Sequence, residues 1–298
     1  MGLEDRIIQI IIAGLTTGSI YAIVGLLVYV VYNVTTVFDL TLGQYVMLGA
    51  MTSAALFSRG VPLFGAIILA VVVVIFVSAV LWFIFMRRAM QKAPHLTQIL
   101  LTVGIMIIIT GATQLIFGIG VRMLPPFIKT EPVQITSYSF ISPQALLVYA
   151  TLLTATVGIS LMYNYSMLGK ALRAIRDYPL AARLNGIRPL NMMHLSYVIA
   201  AFTGAVTGVV MIPLTSVSFD VGYRIIVYGL VAGIVGGITR MRGPVVAGLS
   251  LGLLEQFAGG FISTDYMEAI ALSVFLALLL IRPTGLLGAK EVRSEAKK

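Results

Sequence analysis

The stretch that decides the fold runs from Pro62 to Met86 and reads PLFGAIILAVVVVIFVSAVLWFIFM. It contains no charged residue, and its length exceeds that of the helix of about 20 apolar residues that is needed to cross a bilayer. Trp82 near its end suits the membrane–water interface, and the basic residues Arg87 and Arg88 that follow are typical of a cytoplasmic flank. The stretch therefore predicts a membrane-spanning helix.

The composition extends this prediction to the whole chain. The 298 residues are 59% hydrophobic and only 10% charged, with a mean hydropathy of +1.02. A soluble domain carries about a quarter charged residues. No stretch is polar enough to form a soluble domain, so we expect a single transmembrane domain over residues 1–298. The absence of cysteine excludes a disulfide framework and thiol chemistry.

The pattern along the chain predicts an all-α, polytopic integral membrane protein with about eight transmembrane helices. A further segment, 40–57, contains Gly43 and Gly49 and either crosses fully or is re-entrant. The eight candidate spans are residues 7–32, 62–86, 96–117, 145–163, 192–214, 225–238, 244–261 and 266–281.

A basic loop, residues 165–190, separates two of these spans. Leu168, Leu172 and Ile175 form one apolar stripe, which predicts a short amphipathic helix with its basic residues on the other face. Pro179 suits the start of a second short helix, and Gly186 suits the position after its end. Such a loop either docks on a partner or lies on anionic headgroups.

The distribution of basic residues predicts the topology. Alternate loops and the tail 289–298 hold most of them, and this asymmetry places the basic loop and the C-terminus in the cytoplasm. The net charge of +9 therefore reflects topology and does not indicate nucleic-acid binding. The cytoplasmic set is Arg87, Arg88, Lys92, Lys170, Arg173, Arg176, Arg183, Arg188, Arg240, Arg242, Arg282, Lys290, Arg293, Lys297 and Lys298. The opposite set is Arg59, Arg122, Lys129 and Arg224.

The longest predicted external loop covers residues 118–143. Its alternating stretch 133–141 predicts a short strand or extended segment. The loop either contacts a soluble partner or is a passive cover.

Four motifs, in order, resemble the branched-chain amino acid permease family of ABC importers, of the LivH/LivM type and closer to LivH. The first is FDLTLGQ at 38–44, where Asp39 and Gln44 depart from the family's usual neutral and acidic residues. The second is the basic loop with GKALRAIRD at 169–177. The third is the glycine-rich turn 236–248, and the fourth is RPTGLLG at 282–288.

This resemblance implies a permease subunit of an importer in a bacterial-type inner membrane, with the basic loop as a cytoplasmic coupling helix. It implies three kinds of partner: ABC ATPase subunits, a second homologous permease and an extracytoplasmic substrate-binding protein. It implies that the ATPase docks on Gly169, Lys170, Arg173, Arg176, Asp177, Ala181, Arg183, Gly186 and Ile187. The corresponding cytoplasmic turn contains Gly237, Arg240, Arg242, Gly243 and Pro244.

Polar residues within or beside the spans are candidates for the translocation pathway. Glu255 stands out because a carboxylate inside a span costs about 2.5 kcal/mol or more unless it is paired, hydrated or protonated. It is either a pathway or gating residue or a carboxyl that fixes helix packing. The candidate pathway residues are Thr17, Ser19, Asp39, Gln44, Thr102 and Glu255.

The chain has no GxxxxGK[ST] motif, so we do not expect it to bind ATP by a P-loop. We also expect no metal, no cofactor and no enzymatic activity, since neither a metal-ligand pattern nor a nucleophile–base pair is present. The substrate class implied is branched-chain or related amino acids, with urea, short amides and aromatic acids left open. The alternative is an ion-coupled secondary transporter or channel for a small, largely apolar solute.

Overall fold

The computed structural model describes residues 3–128, 131–136, 139–238, 240–282 and 285–286. The predicted tail 289–298 and Lys129 lie outside the described residues. The architecture is helical, with one short β-hairpin, β1 (Val133–Thr136) and β2 (Ser139–Ile141), whose strands are antiparallel. The helices are α1 (Leu3–Thr35), α2 (Leu42–Ser58), α3 (Leu63–Leu81), α4 (Arg87–Lys92), α5 (His95–Phe117), α6 (Pro143–Tyr165), α7 (Met167–Asp177), α8 (Pro179–Leu184), α9 (Pro189–Met211), α10 (Val221–Gly236), α11 (Arg242–Phe261) and α12 (Met267–Ile281).

Six helical stretches in the described residues are long and apolar enough to cross a membrane. Five are the single helices α1, α5, α6, α9 and α11, and the sixth is the continuous rod Leu63–Lys92, which contains α3 and α4. A π-helical turn, Trp82–Met86, joins α3 to α4 within this rod. Of the eight predicted spans, α10 and α12 have the predicted position but only 16 and 15 residues. The six stretches and these two shorter apolar helices make a polytopic helical membrane protein.

The centre of the bundle is α1, which packs along α11. A row of small residues lets the two backbones touch: a Cβ at Gly252 would fall on the backbone of Gly18, and one at Gly248 on the backbone of Ala22. A similar close backbone contact joins α2 to α9, where Gly208 lies against the backbone of Val46. Helices that approach this closely gain packing contacts that larger side chains would prevent.

The outer helices present apolar side chains outward. On α3, the buried residues Ala66, Ala70, Val74 and Ser78 follow one another at four-residue steps. The large residues of the same helix, such as Phe64 (80% exposed) and Phe76 (67% exposed), point away from the bundle. An exposed surface this apolar is suited to lipid.

The two ends of the bundle differ in their connections. At one end lie α4, α7, α8 and the turn before α11, and this basic end carries Arg87, Arg173, Arg183, Arg188, Arg240 and Arg242. At the other end, the Arg122 and Val217 backbones exchange hydrogen bonds of 2.9 Å. There Gln144 also accepts a bond from the Phe127 amide and donates one to the Val210 carbonyl, which fixes the connection between α5 and α6 on the end of α9.

Candidate functional site

The first candidate site is the hairpin of α7 and α8, defined here as the docking hairpin (residues 167–186). Ser166 starts it: its hydroxyl donates to the Met162 carbonyl and accepts a 3.0 Å bond from the Gly169 amide. Gly169 then lies directly on the backbone of Met162 and Tyr163 at the end of α6. Leu172 and Ile175 are buried below it, so α7 is fixed to the bundle by one face.

The predicted apolar stripe is therefore wrong by one position. Leu168 is 44% exposed, and Gly169 takes the buried place because only a residue without a side chain fits between α7 and α6. The basic residues lie outward as expected, and Lys170, Arg173 and Arg176 are exposed. Asp177 at the end of α7 is exposed as well.

The second half of the hairpin exposes apolar side chains. Tyr178, Leu180 and Leu184 are 74%, 72% and 82% exposed, whereas Ala182 between them is buried. Ala181 and Arg183 are exposed, and Ile187 is half-buried. Gly186 has φ +80° with nothing near a Cβ position, so it ends the hairpin by its left-handed backbone alone. The hairpin offers an apolar ridge with a basic rim to whatever lies beyond this end.

The glycine-rich turn between α10 and α11 lies at the same end. Gly236 and Gly243 touch through their backbones, and Gly237 has φ +91°. Gly243 and Pro244 are buried, whereas Arg240 and Arg242 are exposed and line a cavity with Arg173 of the docking hairpin. The structure thus brings the predicted turn and the predicted docking loop together.

The connection between α1 and α2 holds a buried carboxylate. Asp39 is 1% exposed; one oxygen accepts hydrogen bonds from the Thr41 amide and hydroxyl, at 2.7 and 2.6 Å, and the other accepts one from the Tyr197 hydroxyl. Hydroxyl and amide donors at the start of a helix satisfy a carboxylate without a cation. Thr41 and Tyr197 are functional candidates that the sequence alone did not identify.

Gln44 and Thr102 lie close to this connection. The Thr102 hydroxyl accepts a 3.4 Å bond from the Leu40 amide, and that of Thr110 donates a 3.4 Å bond to Oε1 of Gln44. Gln44 is fully buried, and its Nε2 has no hydrogen-bond partner among the described residues. A polar region therefore surrounds the start of α2, within the bundle and between α5, α9 and α10.

Glu255 lies in a separate region. It is 3% exposed on α11, its side-chain hydrogen-bond partner is Tyr21 of α1, and its Oε2 has no partner in the described part of the chain. The Tyr21 ring stacks on Tyr228 with centroids 4.4 Å apart, and Tyr228 hydrogen-bonds Glu268. Tyr21 and Tyr228 therefore belong to the polar region around Glu255, and the sequence alone did not identify them as candidates.

The remaining pathway candidates belong to neither region. The Ser19 hydroxyl bonds back to the Leu15 carbonyl at 2.7 Å and lines an apolar cavity between α1, α6 and α11. Thr17 is half-buried on α1. The six candidates therefore lie at separate places in the described structure: Asp39, Gln44 and Thr102 at the start of α2, Glu255 beside Tyr21, and Thr17 and Ser19 on α1. Across the described ranges, no group of three or more His, Cys, Asp or Glu side chains gathers as a metal site.

Comparison with known proteins gives a consistent family match. Residues 10–281 match the family model described as the branched-chain amino acid transport system / permease component. The chain is 26% identical over 291 residues to the high-affinity branched-chain amino acid transport system permease protein LivH of Salmonella typhimurium, with 94% of each chain covered. It is 26% identical over 299 residues to the corresponding permease protein BraD of Pseudomonas aeruginosa, covering 96% of this chain and 97% of that protein. Among solved structures, PsaBC from Streptococcus pneumoniae in complex with Fab matches with a TM-score of 0.47 at 16% identity, covering 95% of this chain and 92% of that chain.

Proposed function

Because the chain belongs to the family of branched-chain amino acid transport system permease components, we propose that it is the membrane-spanning permease subunit of an ABC importer for branched-chain or related amino acids. Separate subunits supply the energy by hydrolysing ATP. The relatives LivH and BraD carry this transport activity in their names, and they match almost the whole chain.

The observation that carries the proposal is the docking hairpin. Its apolar ridge, Tyr178, Leu180 and Leu184, is exposed at the end of the bundle, while Gly169 and Leu172 hold the hairpin against the membrane helices. Large apolar side chains that face away from the core favour a protein partner. An ATPase that binds this ridge and moves on ATP binding would displace α7 and, through it, the end of α6.

Three partners complete the proposed importer. ABC ATPases dock on the basic end through the docking hairpin, with Lys170, Arg173, Arg176 and Arg183 as its basic rim. A second homologous permease and an extracytoplasmic binding protein complete the assembly. The basic end then faces the cytoplasm, together with the C-terminus, in an inner membrane.

The proposed pathway uses the polar region at the start of α2, where Asp39, Gln44 and Thr102 lie close together. A transmembrane helix that is interrupted, or that begins within the bundle, exposes backbone polar groups there. Such exposed backbone is a recurring feature of transporter sites. Nε2 of Gln44, which has no hydrogen-bond partner in the described part of the chain, is available as a donor in this region. Glu255 and its tyrosines form a second polar region whose role is that of a gate or of a packing element.

Co-purification tests the docking proposal. The full chain is expressed with its candidate ATPase as wild type, as the double variant Leu180→Ser/Leu184→Ser, and as the control Tyr266→Ser. Tyr266 is 67% exposed at the other end of the bundle, so its loss tests the general effect of removing an exposed apolar residue. We expect the ATPase to be retained by wild type and control and lost from the double variant.

Uptake measurements test the transport proposal in the same complex. Amino acid uptake into vesicles should require ATP and persist after proton and sodium gradients collapse. Uptake by the chain alone, driven by an ion gradient and without an ATPase, would show a secondary transporter and overturn the proposal.

A further inference from the structure

A cavity of about 860 Å³ opens at the basic end, between α4 and the junction of α8 with α9. Three arginines from three different elements line it: Arg87 of α4, Arg183 of α8 and Arg188, the residue before α9. The cavity shares Arg183 and Gly186 with the docking hairpin, but it contains no residue of the apolar ridge and none of the polar region at the start of α2.

Among the described residues, none of these three guanidinium groups forms an ion pair with a carboxylate. In the described ranges, the ion pair that forms is Arg224 with Glu268, at the other end of the bundle. No Asp or Glu in the described part of the chain lines the cavity. Three like charges around one space repel each other, and an anion bound between them relieves that repulsion. Arginine is also the side chain best suited to bind a phosphate group through paired N–H donors.

Apolar residues line the same cavity and lie close to it along the chain. Met90, Leu190 and Met193 line it beside the arginines. On the turn immediately before Arg87, Phe83 and Ile84 are 55% and 54% exposed, in line with the apolar outer face of α3. A ligand with a negatively charged head and apolar chains therefore finds both of its parts matched here.

We propose that this cavity binds the phosphate headgroup of an anionic phospholipid, with the acyl chains along Phe83 and Ile84. Basic cavities between transmembrane helices at the cytoplasmic side are sites where such headgroups bind. The bound lipid would link α4 to α8 and α9 and so brace the docking hairpin. The inference rests on the membrane placement of the chain and not on the transported substrate, so it stands or fails independently of the proposed function.

Lipid titration of the purified full chain tests the proposal. The chain in neutral detergent is titrated with phosphatidylglycerol or phosphatidylcholine, and bound lipid is counted by native mass spectrometry. We expect phosphatidylglycerol to bind preferentially, and Arg87→Gln and Arg188→Gln each to weaken its binding about fivefold. Arg88→Gln is the matched control, because Arg88 is the exposed neighbour on the same helix and does not line the cavity.

Three outcomes would overturn the proposal. Equal binding of the two lipids would show that no anionic headgroup is recognised, and an equal loss in Arg88→Gln would show only general attraction to a basic surface. Displacement of the lipid by millimolar inorganic phosphate would assign the cavity to a soluble phosphate compound. A higher salt concentration should weaken binding in the wild type more than in Arg87→Gln.

Discussion

Tyr197 of α9 donates a hydrogen bond to Asp39, 158 residues away, and so fixes the connection between α1 and α2 to a third helix. The same tyrosine packs on Trp82 with ring centroids 5.3 Å apart, and Trp82 stacks on His194 at 5.7 Å. α9 begins directly after the docking hairpin. α9 therefore provides a direct physical link between the docking hairpin and the start of α2.

Removal of the Tyr197 hydroxyl should destabilise the protein. In Tyr197→Phe, the buried Asp39 carboxylate loses one of its three hydrogen-bond donors, and we expect the free energy of unfolding to fall by about 1–3 kcal/mol. The measurement is the midpoint of thermal unfolding in detergent. Tyr223→Phe is the matched control, since Tyr223 is 57% exposed.

The complementary pair of variants is at Asp39 itself. Asp39→Asn keeps an acceptor for Thr41 and a polar group towards Tyr197, so its midpoint should fall less than that of Asp39→Ala. Equal midpoints for Tyr197→Phe and Tyr223→Phe would contradict the assignment of this bond as a stabilising contact.

Alanine substitution should lower the stability at a glycine in the α1–α11 contact and raise it at a glycine that faces open space. In Gly252→Ala, the new methyl group would meet the backbone of Gly18, and such overpacking costs about 1–3 kcal/mol. In Gly111→Ala on α5, the methyl group enters open space, and the better helix former should stabilise by about 0.5–1 kcal/mol. Unfolding midpoints that shift in the same direction in both variants would refute the close-packing account.

The sequence predicts the helices well and their faces poorly. Apolar length and the positions of proline and glycine predicted the spans to within a few residues, and Pro179 and Gly186 predicted both ends of α8. Lipid and protein core are equally apolar, however, so hydrophobic periodicity does not separate them. On α3 the available signal is size, since Ala66, Ala70 and Ser78 mark the buried face.

The polar regions were less predictable for a related reason. Asp39 and Glu255 could be identified as unusual within an apolar chain, but their partners Tyr197 and Tyr21 come from distant helices whose rotation the sequence does not specify. The chain has 13 tyrosines, so the residue type alone did not single out these two. Leu168 on α7 is a further example, because the sequence did not specify the rotation of this short helix and placed an exposed leucine on its buried face.

Glu255 provides a functional prediction. Glu255→Gln keeps the size of the side chain and an acceptor for Tyr21 but removes the ionisable group, so the complex should assemble normally. We expect amino acid uptake to fall about tenfold, because the Tyr21 hydrogen bond then goes to a neutral acceptor and is weaker by about 1.4 kcal/mol than a bond to a charged group. Glu4→Gln is the control, because Glu4 is exposed at the start of α1 and lies outside the group of Glu255, Tyr21, Tyr228 and Glu268. Normal uptake by a fully assembled Glu255→Gln complex would assign Glu255 to helix packing alone.

The attachment of α7 to α6 provides the last prediction. Gly169→Ala places a methyl group against the backbone of Met162 and Tyr163, so α7 must move away from the bundle while its exposed face is unchanged. We therefore expect the ATPase to bind normally, amide hydrogen exchange in Met167–Asp177 to accelerate, and the number of amino acids transported per ATP hydrolysed to fall. Gly158→Ala on α6 is the control, since its methyl group meets nothing within 4 Å. Unchanged exchange and an unchanged transport ratio in Gly169→Ala would show that movement of the hairpin does not depend on this contact.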